Sequence, residues 1–315
     1  MLADPPAWFT EALAVPAEDR HVRVDGARIS YRAWGTPGAR GAVLVHGTAA
    51  HAHWWDHIAP FFQADGLRVA ALSMSGHGDS DGRSVYSLDQ WAAEVVAVAD
   101  DAGSAAPPFL IGHSLGGSIA SRAAATYGDR LAGVVIIDTP SYEGPPPAEM
   151  ATPAMGFGVG RSYPTREAVT ARFRLVPEHP VLPYVREHVA ARSVTAKDNG
   201  EWGWKFDQGL FTKMDRTPPP GRESTGQEST GQESTVQAAG ARLAGCRAAI
   251  LRAQHGLMNA DMADRLGSRL GQRVPIAEIP AAGHHVLLDE PLSLVAALRA
   301  ILAGWITDDQ LAGGG

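Results

Sequence analysis

Short apolar runs alternate with longer amphipathic stretches along most of the chain. Each run is brief enough to be a strand buried on both faces, and the stretches between the runs place apolar residues at helical spacing, as in residues 87–102. A hairpin signal at Asp25-Gly26 precedes the runs. This alternation predicts a mostly parallel sheet covered by helices on both sides. The runs are GAVLVHG, LRVAALSM, PFLIGHS, LAGVVIID, RAAILRA and QRVPIAEIP.

The alternation stops between residues 141 and 240. This segment contains proline clusters, helical fragments and the aromatic run EWGWKF, and no convincing strand. We therefore predict a first core part at 1–140, an inserted helical cap at 141–240 and a second core part at 241–315. Within the cap, residues 222–235 repeat a polar unit that cannot bury enough surface to offset its ordering entropy, so we predict that they are disordered.

The composition limits the possible partners. The 315 residues carry a net charge of -7 and no cluster of Lys and Arg, which argues against nucleic acid and anionic lipid as partners. A single cysteine, Cys246, excludes an internal disulfide and a cysteine-based zinc site. The first residues lack the pattern of a signal peptide, and we find no apolar stretch of the roughly 18 residues that a membrane span needs. We expect a cytoplasmic protein that acts on a small molecule, in an oligomeric state that the sequence leaves open.

A nucleophile motif follows one of the predicted strands. The stretch Gly112-His113-Ser114-Leu115-Gly116 has the pattern G-x-S-x-G, and a helical pattern begins directly after it. The glycines permit a tight turn from strand to helix. Ser114 is therefore expected to project from the carboxyl end of the sheet, close to the N–H groups of a helix N-terminus, and is the candidate nucleophile.

A serine nucleophile needs a base, and two histidines near the end of the chain compete for this role. His284 and His285 follow the last predicted strand and precede the final helix. His284 comes directly after Gly283, whereas the side chain of His285 points elsewhere if the loop is extended. We favour His284 as the base and predict a structural role for His285.

Together these motifs resemble those of the α/β-hydrolase family over nearly the whole chain. The similar stretches are VLVHGTAAHAHWW, SGHGDSD, GHSLGG, VVIID and AGHHVLLDEP. The resemblance implies an α/β-hydrolase fold, with an eight-stranded, mostly parallel sheet flanked by helices and a cap inserted after strand 6. It supports His284 as the base, because Pro291 follows at the family spacing. It also implies that the N–H groups of Thr48 and Leu115 form an oxyanion hole.

The acid of the expected triad departs from the family pattern. Relatives usually carry it in the turn after the seventh strand of the sheet, where this chain has Gly256. A known variation moves the acid to the end of the sixth strand, where this chain has Asp138. Asp261 lies near the usual turn, but we expect it in the first turn of a helix capped by Asn259. Asp138 is the favoured candidate, and Asp261 is the alternative.

The stretch HAHWWDH raises the possibility of a metal site instead. It contains His51, His53, Asp56 and His57, and a helix that begins near His53 would place His53 and His57 on one face at a spacing that can hold zinc. The aromatic residues of the same stretch indicate a helix that packs in the core. We therefore predict neither a metal nor another cofactor.

A serine nucleophile favours acyl transfer to water. Relatives that open epoxides or remove halide use Asp at this position, so those reactions are disfavoured. We predict a serine hydrolase that cleaves a small or medium carboxylic ester, or a related acyl compound, through an acyl-enzyme intermediate. The alternatives are C–C bond hydrolysis of a diketone acid and a slow-turnover ligand receptor on the same fold. The cap would supply substrate walls, and the candidate wall residues are Trp202, Trp204, Phe206 and Phe211.

Overall fold

The computed structural model describes residues 4–141, 161–215, 246–270 and 274–313. Eight strands form one sheet, and two short strands, which lie between the sixth and the seventh strand of that sheet along the chain, form a second sheet. The eight strands are β1 (Glu18–Val24), β2 (Ala27–Trp34), β3 (Gly41–Val45), β4 (Arg68–Leu72), β5 (Phe109–His113), β6 (Gly133–Ile137), β9 (Arg247–His255) and β10 (Ile276–Gly283), and the two short strands are β7 (Val194–Ala196) and β8 (Trp202–Trp204).

The large sheet is mostly parallel. Its spatial order is β1-β2-β4-β3-β5-β6-β9-β10, and only the β1–β2 and β2–β4 pairs are antiparallel. Every residue of the four central strands β3, β4, β5 and β6 is buried. Burial on both faces explains why these strands are continuous apolar runs in the sequence. The predicted eight-stranded sheet is confirmed.

The β1–β2 hairpin turns at the predicted dipeptide. Val24 pairs with Ala27, and the two residues between them, Asp25 and Gly26, have φ angles of 46° and 81°. Two consecutive positive φ angles are the conformation that matches the twist of a two-residue hairpin, which is why an Asp-Gly pair predicts it.

Helices cover both faces of the sheet. On one face lie α1 (Ala7–Ala14), a 3₁₀-helix (Ala52–Trp55), α2 (Ala59–Ala64) and α9 (Pro291–Gly313), and on the other lie α3 (Leu88–Asp101), α4 (Leu115–Tyr127) and α7 (Ala260–Arg269). Along β3, Leu44 packs on the first side and Val43 and Val45 on the second. This alternation of side chains divides the core into two layers.

The segment between β6 and β9 is mixed and not purely helical. It contains α5 (Arg166–Thr170), α6 (Pro183–Arg192) and a 3₁₀-helix (Leu210–Thr212), together with the antiparallel pair β7–β8. The expectation of no strand here is therefore wrong. The two strands leave no signal in the sequence, because three residues are too few to show an alternating pattern. They are held by pairing with each other and by a bridge between Tyr163 and Trp202. The repeat at 222–235 and the expected end of the cap at residue 240 lie outside the described residues.

The stretch around His53 does not form the single helix that the zinc spacing requires. The 3₁₀-helix ends at Trp55, and α2 begins at Ala59 with Pro60 in its first turn. Proline favours the first turn of a helix, where its missing N–H costs nothing, and so sets the start of α2 after His57. His53 and His57 therefore do not share the face of one helix.

Helix α9 is long and apolar, although no continuous apolar run of its length marks it in the sequence. Within the described residues it is the one helix with the length and composition for a membrane span, and an 18-residue window of Pro291–Ala312 has a mean hydropathy of 1.3. Arg299 interrupts this window, so it does not stand out as a continuous apolar run. Of the window, 33% is buried in the protein, and Leu294, Leu298 and Trp305 pack in the core.

Candidate active site

Ser114 stands on the turn between β5 and α4. Its backbone has φ 55° and ψ -122°, a conformation that L-residues rarely adopt. The neighbouring glycines are required by close backbone contacts, since a Cβ on Gly112 would lie 2.2 Å from the carbonyl oxygen of Gly116, and one on Gly116 would lie 2.2 Å from that of Val45. The G-x-S-x-G motif therefore produces the sharp strand-to-helix turn that was expected of it.

His284 lies between Ser114 and Asp138. It follows Gly283, the last residue of β10, and precedes the short helix α8 (Val286–Asp289). Its Nε2 is 3.1 Å from Oγ of Ser114, and its Nδ1 is 2.7 Å from Oδ2 of Asp138. The three side chains come from the carboxyl ends of β5, β6 and β10, so the parallel sheet brings together residues that are distant in the chain.

The carboxylate of Asp138 is fully buried in a cradle of backbone N–H groups. Its Oδ1 accepts hydrogen bonds from the N–H groups of Ala253 and Met258, both at 3.2 Å, and its Oδ2 accepts one from Leu257 at 2.8 Å. These donors lie in β9 and in the turn that follows it. The turn that is expected to carry the acid in relatives therefore binds the carboxylate of Asp138 in this chain.

Gly256 makes room for this arrangement. A Cβ on Gly256 would lie 2.3 Å from Oδ1 and 2.4 Å from Oδ2 of Asp138. The carboxylate attached to β6 thus fills the space into which a side chain at the usual position would project. Asp138 itself has a φ of 41°, which is strained for a residue other than glycine.

Asp261 and His285, the alternatives for the acid and the base, lie elsewhere. Asp261 is exposed in the first turn of α7, where Asn259 caps the helix by accepting a hydrogen bond from the N–H of Met262 at 2.9 Å. The ring of His285 lies 5.0 Å from that of His284, and burial holds its pKa well below the usual range. The structure brings Asp138 and His284, and not these two residues, to Ser114.

His113 links the turn that carries Ser114 to the loop that carries His284. Its Nε2 donates a hydrogen bond to the main-chain oxygen of His284 at 2.7 Å. Burial and the nearby His284 lower the pKa of His113 to about 3, so its ring is neutral. Because a carbonyl oxygen only accepts, the single ring proton of His113 is on Nε2. The motif G-x-S-x-G indicates no role for His113, which occupies one of its variable positions.

The loop expected to supply part of an oxyanion hole lies against Ser114. A Cβ on Gly47 would be 3.1 Å from Cβ of Ser114. His46 accepts a hydrogen bond from the N–H of Met74 at Nε2, at 3.0 Å, so its Nδ1 donates to the oxygen of Gly47 at 2.7 Å. This bond fixes the planar peptide that also contains the N–H of Thr48. Leu115, the second expected donor, is the first residue of α4.

The model of the alpha/beta hydrolase family matches residues 42–298, which is most of the chain. The chain belongs to this family. This α/β hydrolase is 36% identical over 128 residues to the monoacylglycerol lipase of Mycolicibacterium smegmatis, an alignment that covers 38% of the chain and 45% of the lipase. The matched part of this chain therefore spans less than half the length of that curated relative.

A second relative matches more of the hydrolase. The esterase Rv0045c of Mycobacterium tuberculosis is 28% identical to it over 212 residues, which are 63% of this chain and 69% of the esterase. The solved structure of that esterase has a TM-score of 0.69 at 20% identity and covers 94% of this chain and 98% of its own. At this identity the structural match shows the fold alone.

The aromatic residues expected to line the pocket of the hydrolase are half-buried. The main chain of Trp202 pairs with that of Tyr163, and the ring of Trp204 lies 6.4 Å from that of Phe173. The ring of Phe206 lies 5.1 Å from that of His77 and 6.4 Å from that of Phe211. Of these contacts, the one between Phe206 and His77 joins the segment between β6 and β9 to the core, and the other three lie within that segment. The role of the rings as substrate walls stays a prediction.

The histidines of the HAHWWDH stretch point to different partners. His51 contacts Oγ of Ser193 at 2.8 Å, and His57 donates to the oxygen of Leu287 at 2.7 Å. Asp56 instead contacts His53 at 2.8 Å, His188 of α6 at 2.9 Å and the guanidinium of Arg32. Burial would raise the pKa of Asp56, but these neighbours hold it well below its usual range. In the part of the chain that the structure describes, no three such side chains are placed to hold a metal ion.

Proposed function

We propose that this α/β hydrolase is a serine hydrolase that cleaves small or medium carboxylic esters through an acyl-enzyme intermediate. The observation that carries the proposal is the contact chain from Oγ of Ser114 to His284, at 3.1 Å, and from His284 to Asp138, at 2.7 Å. These are the distances over which a nucleophile, a base and an orienting acid work together. The names of the two relatives, a monoacylglycerol lipase and an esterase, support an ester as the substrate.

The proposed reaction begins when Oγ of Ser114 attacks the ester carbonyl carbon. Nε2 of His284 takes the hydroxyl proton and then gives it to the departing alcohol oxygen as the ester C–O bond breaks. Nε2 of His284 next takes a proton from a water molecule, whose oxygen attacks the acyl carbonyl carbon. The bond between the acyl group and Oγ then breaks, the proton returns to Oγ, and the acid leaves. The N–H groups of Thr48 and Leu115 would stabilise the negative oxygen of each tetrahedral intermediate.

Asp138 would keep His284 in the reactive tautomer. Both carboxylate oxygens accept hydrogen bonds from the backbone cradle, and Oδ2 also faces Nδ1 of His284. An ionised carboxylate can only accept, so the proton of a neutral His284 is held on Nδ1. Nε2 is then free of a proton and faces Ser114 as a base.

The serine also argues for acyl compounds over epoxides or alkyl halides. An alkyl group transferred to Ser114 would form an ether, which water does not cleave under these conditions, whereas an acyl group forms a hydrolysable ester. The alternative of a slow-turnover receptor predicts binding with little hydrolysis. Turnover therefore distinguishes the two functions.

A panel of nitrophenyl esters, with acyl chains from acetyl to dodecanoyl, tests the proposal. We expect the wild-type enzyme to hydrolyse the short and medium members, and Ser114→Ala to lower kcat by about 10⁴ to 10⁶ while the circular dichroism spectrum stays unchanged. Most of the activity surviving in Ser114→Ala would reject the mechanism. Binding of the esters without turnover by the wild type would favour the receptor.

A further inference from the structure

The loop that carries His284 is held by the cap as well as by the core. His179 lies in the cap, between α5 and α6, and its ring stacks on that of His285 at 5.2 Å with an interplanar angle of 11°. Its Nε2 lies 3.0 Å from Oδ2 of Asp289. His179 therefore touches the chain on the C-terminal side of His284 at two places.

The same ring also lies against the residue that precedes His284. A Cβ on Gly283 would be 2.6 Å from Cδ2 and from Nε2 of His179, so the missing side chain at 283 allows the ring to approach. The N–H of Gly283 donates to Oδ2 of Asp289 at 2.5 Å, which closes the loop on itself. The carboxylate oxygen that closes the loop is the one that His179 faces.

A main-chain contact reinforces this interface. The N–H of Leu182, three residues after His179, donates to the oxygen of Leu288 at 3.0 Å. The side chains of His179 and Asp289 are largely buried, with exposures of 17% and 10%. The contact is therefore largely shielded from solvent.

We propose that His179 is a positioning residue, which holds Gly283, His285 and Asp289 so that His284 stays between Ser114 and Asp138. The inference rests on the proposed serine mechanism and gives the cap a second task besides covering the substrate. A displacement of about 1 Å in such a site can cost on the order of 10²-fold in rate, so a ring that borders the base on both sides has a measurable effect.

His188 provides a matched control. It is also a cap histidine, its side chain has a similar exposure of 13%, and its Nε2 lies 2.9 Å from Oδ2 of the buried core residue Asp56. It differs from His179 in that its carboxylate partner lies outside the loop of His284. His179→Ala and His188→Ala should both lower the melting temperature, and only His179→Ala should disturb the base.

The first measurement is the rate at which a small fluorophosphonate labels Ser114. This reagent reports on the Ser114–His284 pair and needs little of the ester-binding surface. We expect His179→Ala to lower the second-order labelling rate about tenfold or more, and His188→Ala to leave it within about twofold. Equal rates for His179→Ala and the wild type, or equal losses in both variants, would overturn the inference.

A double-mutant cycle tests the contact itself. Gly283→Ala should lower the labelling rate because its Cβ displaces the ring of His179. In the His179→Ala background the same change should cost little, since the obstructing ring is gone. Independent, additive losses would mean that His179 does not act on the base through Gly283.

Proton NMR separates this inference from the proposed function. The Nδ1 proton of His284 in its bond to Asp138 should give a downfield resonance that persists in His188→Ala and shifts or broadens in His179→Ala. This signal does not depend on turnover. A wild-type enzyme that shows the resonance but is not labelled would reject the serine mechanism, whereas normal labelling with an unchanged resonance in His179→Ala would reject only the positioning role.

Discussion

Replacing Asp138 by Asn should disable His284 without changing the volume of the side chain. An amide has one acceptor oxygen, whereas the carboxylate accepts from Ala253 and Met258 at Oδ1 and from Leu257 and His284 at Oδ2. If the amide oxygen takes the place of Oδ1, the hydrogen bonds from Ala253 and Met258 survive, and the one backbone hydrogen bond at Oδ2, from Leu257, is lost. With the oxygen at Oδ2, both bonds at Oδ1 are lost, at a cost of about 1–3 kcal/mol each.

The first orientation is therefore favoured, and it inverts the tautomer of the base. The amide NH₂ then faces Nδ1 of His284 and donates to it, so the imidazole proton moves to Nε2. Nε2 can no longer accept the proton of Ser114. We expect kcat to fall by about 10⁴, which corresponds to about 5.4 kcal/mol at about 1.36 kcal/mol for each factor of ten.

The assay is kcat for the best ester of the nitrophenyl panel, with circular dichroism as a check on folding. Asp261→Asn is the matched control, because it removes an exposed helix-terminal charge worth a few tenths of a kcal/mol. A folded Asp138→Asn enzyme that keeps more than about a tenth of the wild-type kcat would refute this role of Asp138. An equal loss in Asp261→Asn would move the acid to the vicinity of β9.

Gly256→Ala should lower kcat by about 10²-fold or more, since its Cβ would lie 2.3 Å from Oδ1 of Asp138 and displace the carboxylate. A near-normal kcat in steady-state kinetics would contradict the importance of this backbone cradle for Asp138. His113→Leu removes the 2.7 Å hydrogen bond to the main-chain oxygen of His284 and should lower kcat about tenfold. His113→Gln should retain more activity because it keeps a donor, and equal kcat values for the two variants would count against a role for this hydrogen bond. Burial lowers the pKa of His57 and of His77 from the usual 6.5 to about 4. Between these two pH values the unfolded chain binds more protons than the folded protein, so the free energy of unfolding should decrease as the pH falls from about 6.5 to 4. Each histidine contributes at most about 1.4 kcal/mol for each pH unit, and urea midpoints that do not change between pH 7.5 and 5 would contradict their burial as neutral rings.

The large sheet was predictable because its strands carry a local signal. Each of β3, β5 and β6 is a five-residue run that is buried throughout, so the requirement for apolar residues at every position appears directly in the sequence. Strands β7 and β8 have three residues each and derive from their mutual pairing. No window of that length distinguishes a strand from a loop.

The candidate site was predictable only in part. Ser114 and His284 stand in short motifs whose glycines are needed for the close approach of neighbouring groups, so the sequence itself marks both residues. For the acid, Asp138 was one of two candidates. The cradle that distinguishes Asp138 from Asp261 consists of backbone N–H groups, which every residue except proline possesses and which leave no trace in the sequence. The one available clue was Gly256, the residue without a side chain at the usual position of the acid.

The contacts that support the base were not predictable. His113 reaches the carbonyl of a residue 171 positions further along the chain, and His179 reaches Asp289 from the segment between β6 and β9. Neither histidine belongs to a periodic pattern or a metal-ligand spacing. Their partners are set by the tertiary fold, which brings the ends of β5 and β10 and the loop between α5 and α6 to the same edge of the sheet.

Trapping the acyl-enzyme tests the central claim most directly. The hydrolase is mixed with an activated acetate ester, quenched in acid within the first turnover and digested for peptide mass spectrometry. We predict one acetyl group on the peptide that contains Ser114, no such group in Ser114→Ala, and much slower formation in His284→Ala. Rapid ester hydrolysis with no acyl group on Ser114, under conditions that slow deacylation, would contradict the mechanism.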